Sequence, residues 1–236
     1  MTEEQSIQAL HDIKRIMEKS TRFLSLSGLS GVAAGIIALA GAYVAHLRID
    51  HYRALVQPYG GDVDYDAAVQ HARTAGRAVL SADADIWNQL RLELLILAGV
   101  IVILAFGAGF YFTWRKANRE GASLWDATSR KMAMNMIVTL GSSGLFLLGC
   151  IYHHYDVTIG PACLVFYGLA LINVSKYTVR DVRYLGLTEI ALGLINLFFF
   201  DIVGYSLIFW ALGFGVCHII YGLLMWWKYE RHPAEG

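Results

Sequence analysis

Two ionisable side chains, Glu189 and His218, stand deep inside long apolar runs. A charge in the bilayer core is costly, so each is a candidate for function by default. The runs that carry them are joined by a very short turn near Val203-Gly204. Folding an antiparallel hairpin about that turn sets position 189 opposite position 218. Glu189 lies about 9 Å past the basic boundary at Arg183, at ~1.5 Å per helical residue. A carboxyl beside an imidazole can hold a charge or share a proton near neutral pH. The same contact can instead serve as an interhelical hydrogen bond of ~0.6 kcal/mol.

Other polar residues fall at a similar depth. Folding the hairpin that turns between His154 and Tyr155 sets Asn135 opposite Val174, next to Asn173. Ser27 and Ser30 lie in the corresponding third of the first run, and Asn196 lies above Glu189 on its own helix. Ser27, Ser30, Asn135, Asn173, Glu189, His218 and Asn196 are therefore the expected members of a polar layer opening towards the cytoplasm. Such a layer either lines a pocket or glues helices together.

The opposite side collects metal-ligand types: His46, His51, His153, His154, Asp156 and Asp201. Imidazole with carboxylate suits zinc or copper, yet no spacing matches a structural zinc site. His46, His153, His154 and Asp156 are weak candidates, and no metal is expected. No cofactor is implied either, since His218 alone is deep and offers no second histidine for haem. Asp62, Asp64 and Asp66 suggest a calcium loop, but Ala67 and Arg73 stand where an EF-hand needs Gly and Glu. Cys150 and Cys163 flank one turn and read as thiols packed as small apolar groups. There is no H-E-x-x-H, no G-x-S-x-G and no phosphate loop ending in G-K-[ST].

These residues must be positioned by membrane helices. Six apolar runs cover about 23–47, 92–114, 132–152, 157–177, 184–203 and 205–227, and a span needs ~20 apolar residues. Of the residues, 56% are apolar and 16% charged, against about 25% charged in soluble proteins. Counting Lys176, at the end of the fourth run, with the segment that follows it, the flanking and intervening segments hold 4, 5, 5, 0, 3, 0 and 2 Lys or Arg in order. A cytoplasmic N-terminus puts 14 of the 19 on the inside. The other five sit in one long loop, the kind that weighs least in the positive-inside rule. Tryptophan and tyrosine near both ends of the runs form two interfacial belts. Zero net charge gives no reason to expect nucleic acid.

The fold class read from this is all-α: a polytopic six-helix transmembrane bundle occupying 23–228. Residues 1–22 have the capping pair Thr2 and Gln5 and the apolar stripe Ile7, Leu10, Ile13 and Met17. They predict a cytoplasmic amphipathic helix. The segment 48–91 predicts an outer helical loop, with a helix over 66–81 that Asp66 caps and that can continue into the second span. Residues 229–236 read as a cytoplasmic tail. Residues 28–39 (GLSGVAAGIIAL) and 186–197 (GLTEIALGLINL) match at six of twelve positions, which suggests three related α-hairpins. Glycines on the first, fifth and sixth runs favour close helix packing.

Without catalytic signatures, the expected function is that of a non-enzymatic integral membrane protein of a bacterial inner membrane, with a sensing, scaffolding or regulatory role. Both termini would be cytoplasmic. The lipid bilayer is the first partner. The 48–91 segment is a candidate surface for a membrane or periplasmic protein, and a second copy of the chain is a candidate partner too. The alternative is a small-solute or proton-coupled transporter using the polar layer around Glu189 and His218, with Asn196, Asn173, Asn135 and Ser30.

Overall fold

Inside a bilayer every backbone polar group must be satisfied within the protein, so a single apolar segment crosses as a helix. The computed structural model describes residues 27–56, 77–121, 123–199 and 203–231, and these are helical with short turns. The helices are α1 (Gly28–Val56), α2 (Arg77–Glu120), α3 (Ala127–Tyr152), α4 (Asp156–Val174), α5 (Val182–Phe199) and a composite α6. The last comprises Val203–Trp210, a wider π-helical stretch Ala211–Cys217, His218–Trp226 and a final π-helical turn Trp227–Arg231. Among the described residues, six helices are long and apolar enough to cross a membrane. The chain is an all-α membrane protein of six candidate spans.

Several helices overrun their apolar runs. α1 continues from 47 to 56, and α2 extends from Arg77 to Glu120 around the run 92–114. Hydropathy marks where lipid begins, whereas a helix ends where its backbone loses partners. The described flanks of the 48–91 segment are therefore extensions of α1 and α2. Ile49, Tyr52 and Leu90 are buried together there, with Ile86, Leu94 and Leu207 packed against them. Of the helix expected over 66–81, residues 77–81 are described, and they belong to α2. The amphipathic helix expected over 1–22 and the residue Asp201 lie outside the described residues. Residues 229–231 of the expected tail continue α6.

Local signals set the turns. Asp126 caps α3 by accepting the Ser129 backbone N–H at 2.6 Å. Gly121, at φ +63°, ends α2 in the left-handed conformation that glycine tolerates. Pro161 lies early in α4 without breaking it.

α1 packs against α2 on one side and α6 on the other; α4 packs against α5, α3 and α6. α5 also touches α6, whereas α2 and α3 do not pack along each other. The helices thus form an open row with α1, α4, α5 and α6 in its middle. Three equivalent hairpins around an axis are not shown. Two close crossings hold the middle together. A methyl group on Gly168 of α4 would sit 2.5 Å from the Gly186 carbonyl oxygen of α5, and one on Gly186 would sit 2.8 Å from the Gly168 oxygen. Gly222 of α6 meets the Gly28 oxygen and the Val32 nitrogen of α1 in the same way, both at 2.6 Å. In lipid, where apolar burial gives little drive, such backbone approach supplies the packing.

Candidate functional site

The buried face of α5 is Val182, Leu185, Gly186, Glu189, Gly193 and Asn196, one stripe at helical spacing. Gly186 and Gly193 press that stripe onto α4, against Gly168, Pro161 and Leu164. Glu189 is carried between them and has no exposed surface. Across from it, Gly213 of α6 leaves the space that a side chain would fill: a methyl group there would collide with Glu189 Oε2 and Leu164. A glycine at 213 is what lets a carboxylate into this layer.

His218 closes the site. Its Nδ1 is 3.4 Å from Glu189 Oε1 and 3.0 Å from the Gly213 carbonyl oxygen. Its Nε2 is 2.9 Å from the Tyr167 hydroxyl of α4. Residues 213 and 218 are five apart, the spacing that a π-helix brings together; Gly213 lies within the π-helical stretch Ala211–Cys217 and His218 directly follows it. A carbonyl oxygen can only accept, so Nδ1 carries a hydrogen. In the neutral ring Nε2 then accepts the Tyr167 O–H. Both Glu189 oxygens lack a hydrogen-bond partner among the described residues.

Aromatic rings wall the cluster. Phe214 stacks on His218 with centroids 5.9 Å apart and leans on Tyr167 at 4.9 Å. Trp210 packs on Phe214 at 5.0 Å. The arrangement is one carboxyl, one imidazole and one phenol, each from a different span, with Glu189 and His218 buried and Tyr167 half-buried. It can hold or pass a proton.

The other members of the expected polar layer do not join this cluster. Asn196 donates to Ser206 Oγ at 3.0 Å, further along the α5–α6 pair. Asn173 reaches Asn135 at 3.4 Å, and Asn135 also donates to the Lys131 carbonyl at 2.8 Å. Ser30 bonds back to the Ser27 carbonyl at the start of α1. Nor do the weak metal candidates come together. His46 pairs with Asp50 at 3.3 Å on α1, while Asp156 is held by Arg91, whose Nη2 lies 2.6 Å from Oδ2. His153 stacks on Tyr155, and His154 takes a left-handed turn at φ 61°. Among the described residues no three His, Cys, Asp or Glu side chains gather to hold a metal. Cys150, Cys163 and Cys217 are free thiols.

Three features went unread in the sequence. Tyr167 was legible: folding α4 and α5 about residue 178, the middle of their turn, sets 167 opposite 189. The π-helical stretch leaves no mark that residue spacing exposes. Glu230 is the third. It accepts the Gly28 backbone N–H at 2.6 Å and the Ser27 hydroxyl at 3.1 Å, so the end of α6 caps the start of α1. Lys228 pairs with Asp181 beside it at 2.6 Å.

No protein-family model, curated protein or solved structure matches this chain.

Proposed function

We propose that this is a non-enzymatic membrane protein with a sensing or regulatory role, and that the Glu189, His218 and Tyr167 cluster is its responsive element. The observation that carries this reading is a wholly buried carboxyl without a hydrogen-bond partner among the described residues, 3.4 Å from an imidazole nitrogen. With a proton on the carboxyl, both groups are neutral. With that proton on the ring, they form an ion pair, and the net charge is again zero. Gain or loss of one proton leaves a bare charge in the bundle, at a cost of several kcal/mol. The cost is relieved by a rearrangement that brings polar surroundings to the charge. The wide turn of α6 beside His218 is where the helix can reset. A shift of α6 reaches its far end, where Glu230 holds the start of α1 and Lys228 holds the α4–α5 turn.

Sensing is favoured over transport because the expected polar layer is divided into local bonds. Asn196 with Ser206, Asn173 with Asn135 and Ser30 with the Ser27 carbonyl are separate from the cluster. A solute path needs a connected row.

The same reading puts the protein in a bacterial inner membrane with both termini in the cytoplasm, supported by the distribution of basic residues. The 48–91 segment is then its outer contact surface for a membrane or periplasmic protein or a second copy.

Trp210 supplies a test, because it stacks through Phe214 onto His218. In reconstituted protein its emission should change with pH, and Glu189→Gln should remove the change. Emission that does not respond to pH, or responds equally in Glu189→Gln, contradicts the reading.

A further inference from the structure

The α4–α5 turn and the end of α6 enclose an open groove of about 350 Å³, lined by Asp181, Leu224, Trp227 and Lys228. Its wall is apolar, and Leu224 and Trp227 are each more than half exposed. Lys228 Nζ lies 2.6 Å from Asp181 Oδ2, and the Tyr229 hydroxyl donates to the same oxygen at 3.1 Å. The rim is therefore clamped from both elements.

At the end of a membrane span an apolar hollow is filled by an acyl chain, and Trp, Tyr and basic side chains lie at headgroup depth. The charge around the groove selects the headgroup. Lys176, Arg180 and Arg183 lie on or beside the turn, and Lys228 and Arg231 on the end of α6. The acids in the same stretches are Asp181 and Glu230, and both are engaged: Asp181 by Lys228 and Tyr229, Glu230 by Ser27 and the Gly28 amide. Arg180 and Arg183 are exposed, and no ion pair engages them among the described residues.

We propose that this groove is a binding site for one anionic phospholipid. Its acyl chain lies on Leu224 and Trp227, and its phosphate is held by the basic side chains flanking Asp181, namely Arg180 and Lys228, with Arg183 adding to the field. Basic hollows between spans favour anionic headgroups in this way. A zwitterionic lipid brings its own ammonium group into an excess of cations and is disfavoured. The site is separate from the Glu189 cluster and stands without it.

Brominated acyl chains quench nearby indoles, so Trp227 can report its own lipid. The protein has six tryptophans, and Trp227→Phe isolates the signal by difference. The protein is reconstituted in phosphatidylcholine bilayers with increasing brominated phosphatidylglycerol, and separately with increasing brominated phosphatidylcholine. The Trp227 signal should be half-quenched at a severalfold lower fraction of the anionic lipid. Arg180→Gln and Arg183→Gln should each weaken that preference by about fivefold or to its disappearance. High salt should weaken it in the unmodified protein, which covers the case of a variant that fails to fold. Equal quenching by the two lipids, a preference that survives both the double substitution and high salt, or quenching unchanged by Trp227→Phe would overturn the proposal.

Discussion

Gly168→Ala should destabilise the bundle, although alanine is the better helix former. The added methyl carbon would lie 2.5 Å from the Gly186 carbonyl oxygen, 2.7 Å from Ile190 Cγ1 and 3.0 Å from the Ile190 nitrogen. Carbon atoms pack best at about 3.5–4.0 Å. α4 and α5 must therefore part by about 1 Å at their crossing. Overpacking of this kind costs about 1–3 kcal/mol. Gly99→Ala on α2 is the control, since a methyl group there meets nothing within 4 Å. It should be neutral or stabilising by up to about 1 kcal/mol, the helix-propensity difference. Gly186→Ala strains the same crossing, so the double variant should cost less than the sum of the two. Reversible unfolding in mixed micelles, followed by far-UV circular dichroism, gives these differences. Equal stability changes for Gly168→Ala and Gly99→Ala would refute the crossing as the source of packing energy.

Two further outcomes are expected. Asp126 caps α3, and the Ser129 backbone N–H holds its carboxyl below the usual carboxylate range. A depressed folded-state value means that the cap contributes above pH of about 4 and fades as pH falls through the folded value. Asp126→Ala should therefore cost about 1 kcal/mol at neutral pH, and an unfolding series that shows the same cost in strong acid would contradict this. Cysteines introduced at the exposed positions Ser123 and His154 should label from opposite faces of the membrane, Ser123→Cys from the cytoplasm; labelling of both from one face would refute the topology.

The number of spans was legible because apolar length is a direct consequence of bilayer thickness. The depth of the Glu189 and His218 pair was legible for a related reason: a tight turn between straight helices fixes which residues share a level. That geometry says nothing about rotation, and rotation decides contact. It was settled by glycines, which let α5 turn Glu189 towards α4 and α6. Asn135, Asn173, Asn196 and Ser30 share comparable levels or faces, yet their helices turn them to other neighbours. The α6 π-helical stretch depends on packing around Gly213 and Gly215, where side chains of Glu189, Leu164 and Leu39 occupy the space. No local propensity encodes it. The helical overruns of α1 and α2 were hidden because charged residues such as Arg48 and Arg91 end an apolar run without ending a helix.

The central claim is that buried Glu189 and His218 form one cluster with Tyr167, with the hydrogen on His218 Nδ1. Solid-state NMR of bilayer-reconstituted protein, with ¹⁵N-labelled histidine and ¹³C-labelled glutamate, tests it most directly. The account predicts a protonated Nδ1 with a dipolar contact to the Glu189 carboxyl, consistent with 3.4 Å between Nδ1 and Oε1, and an Nε2 signal that shifts in Tyr167→Phe. A hydrogen on Nε2 with Nδ1 bare, or no contact between ring and carboxyl, would contradict it.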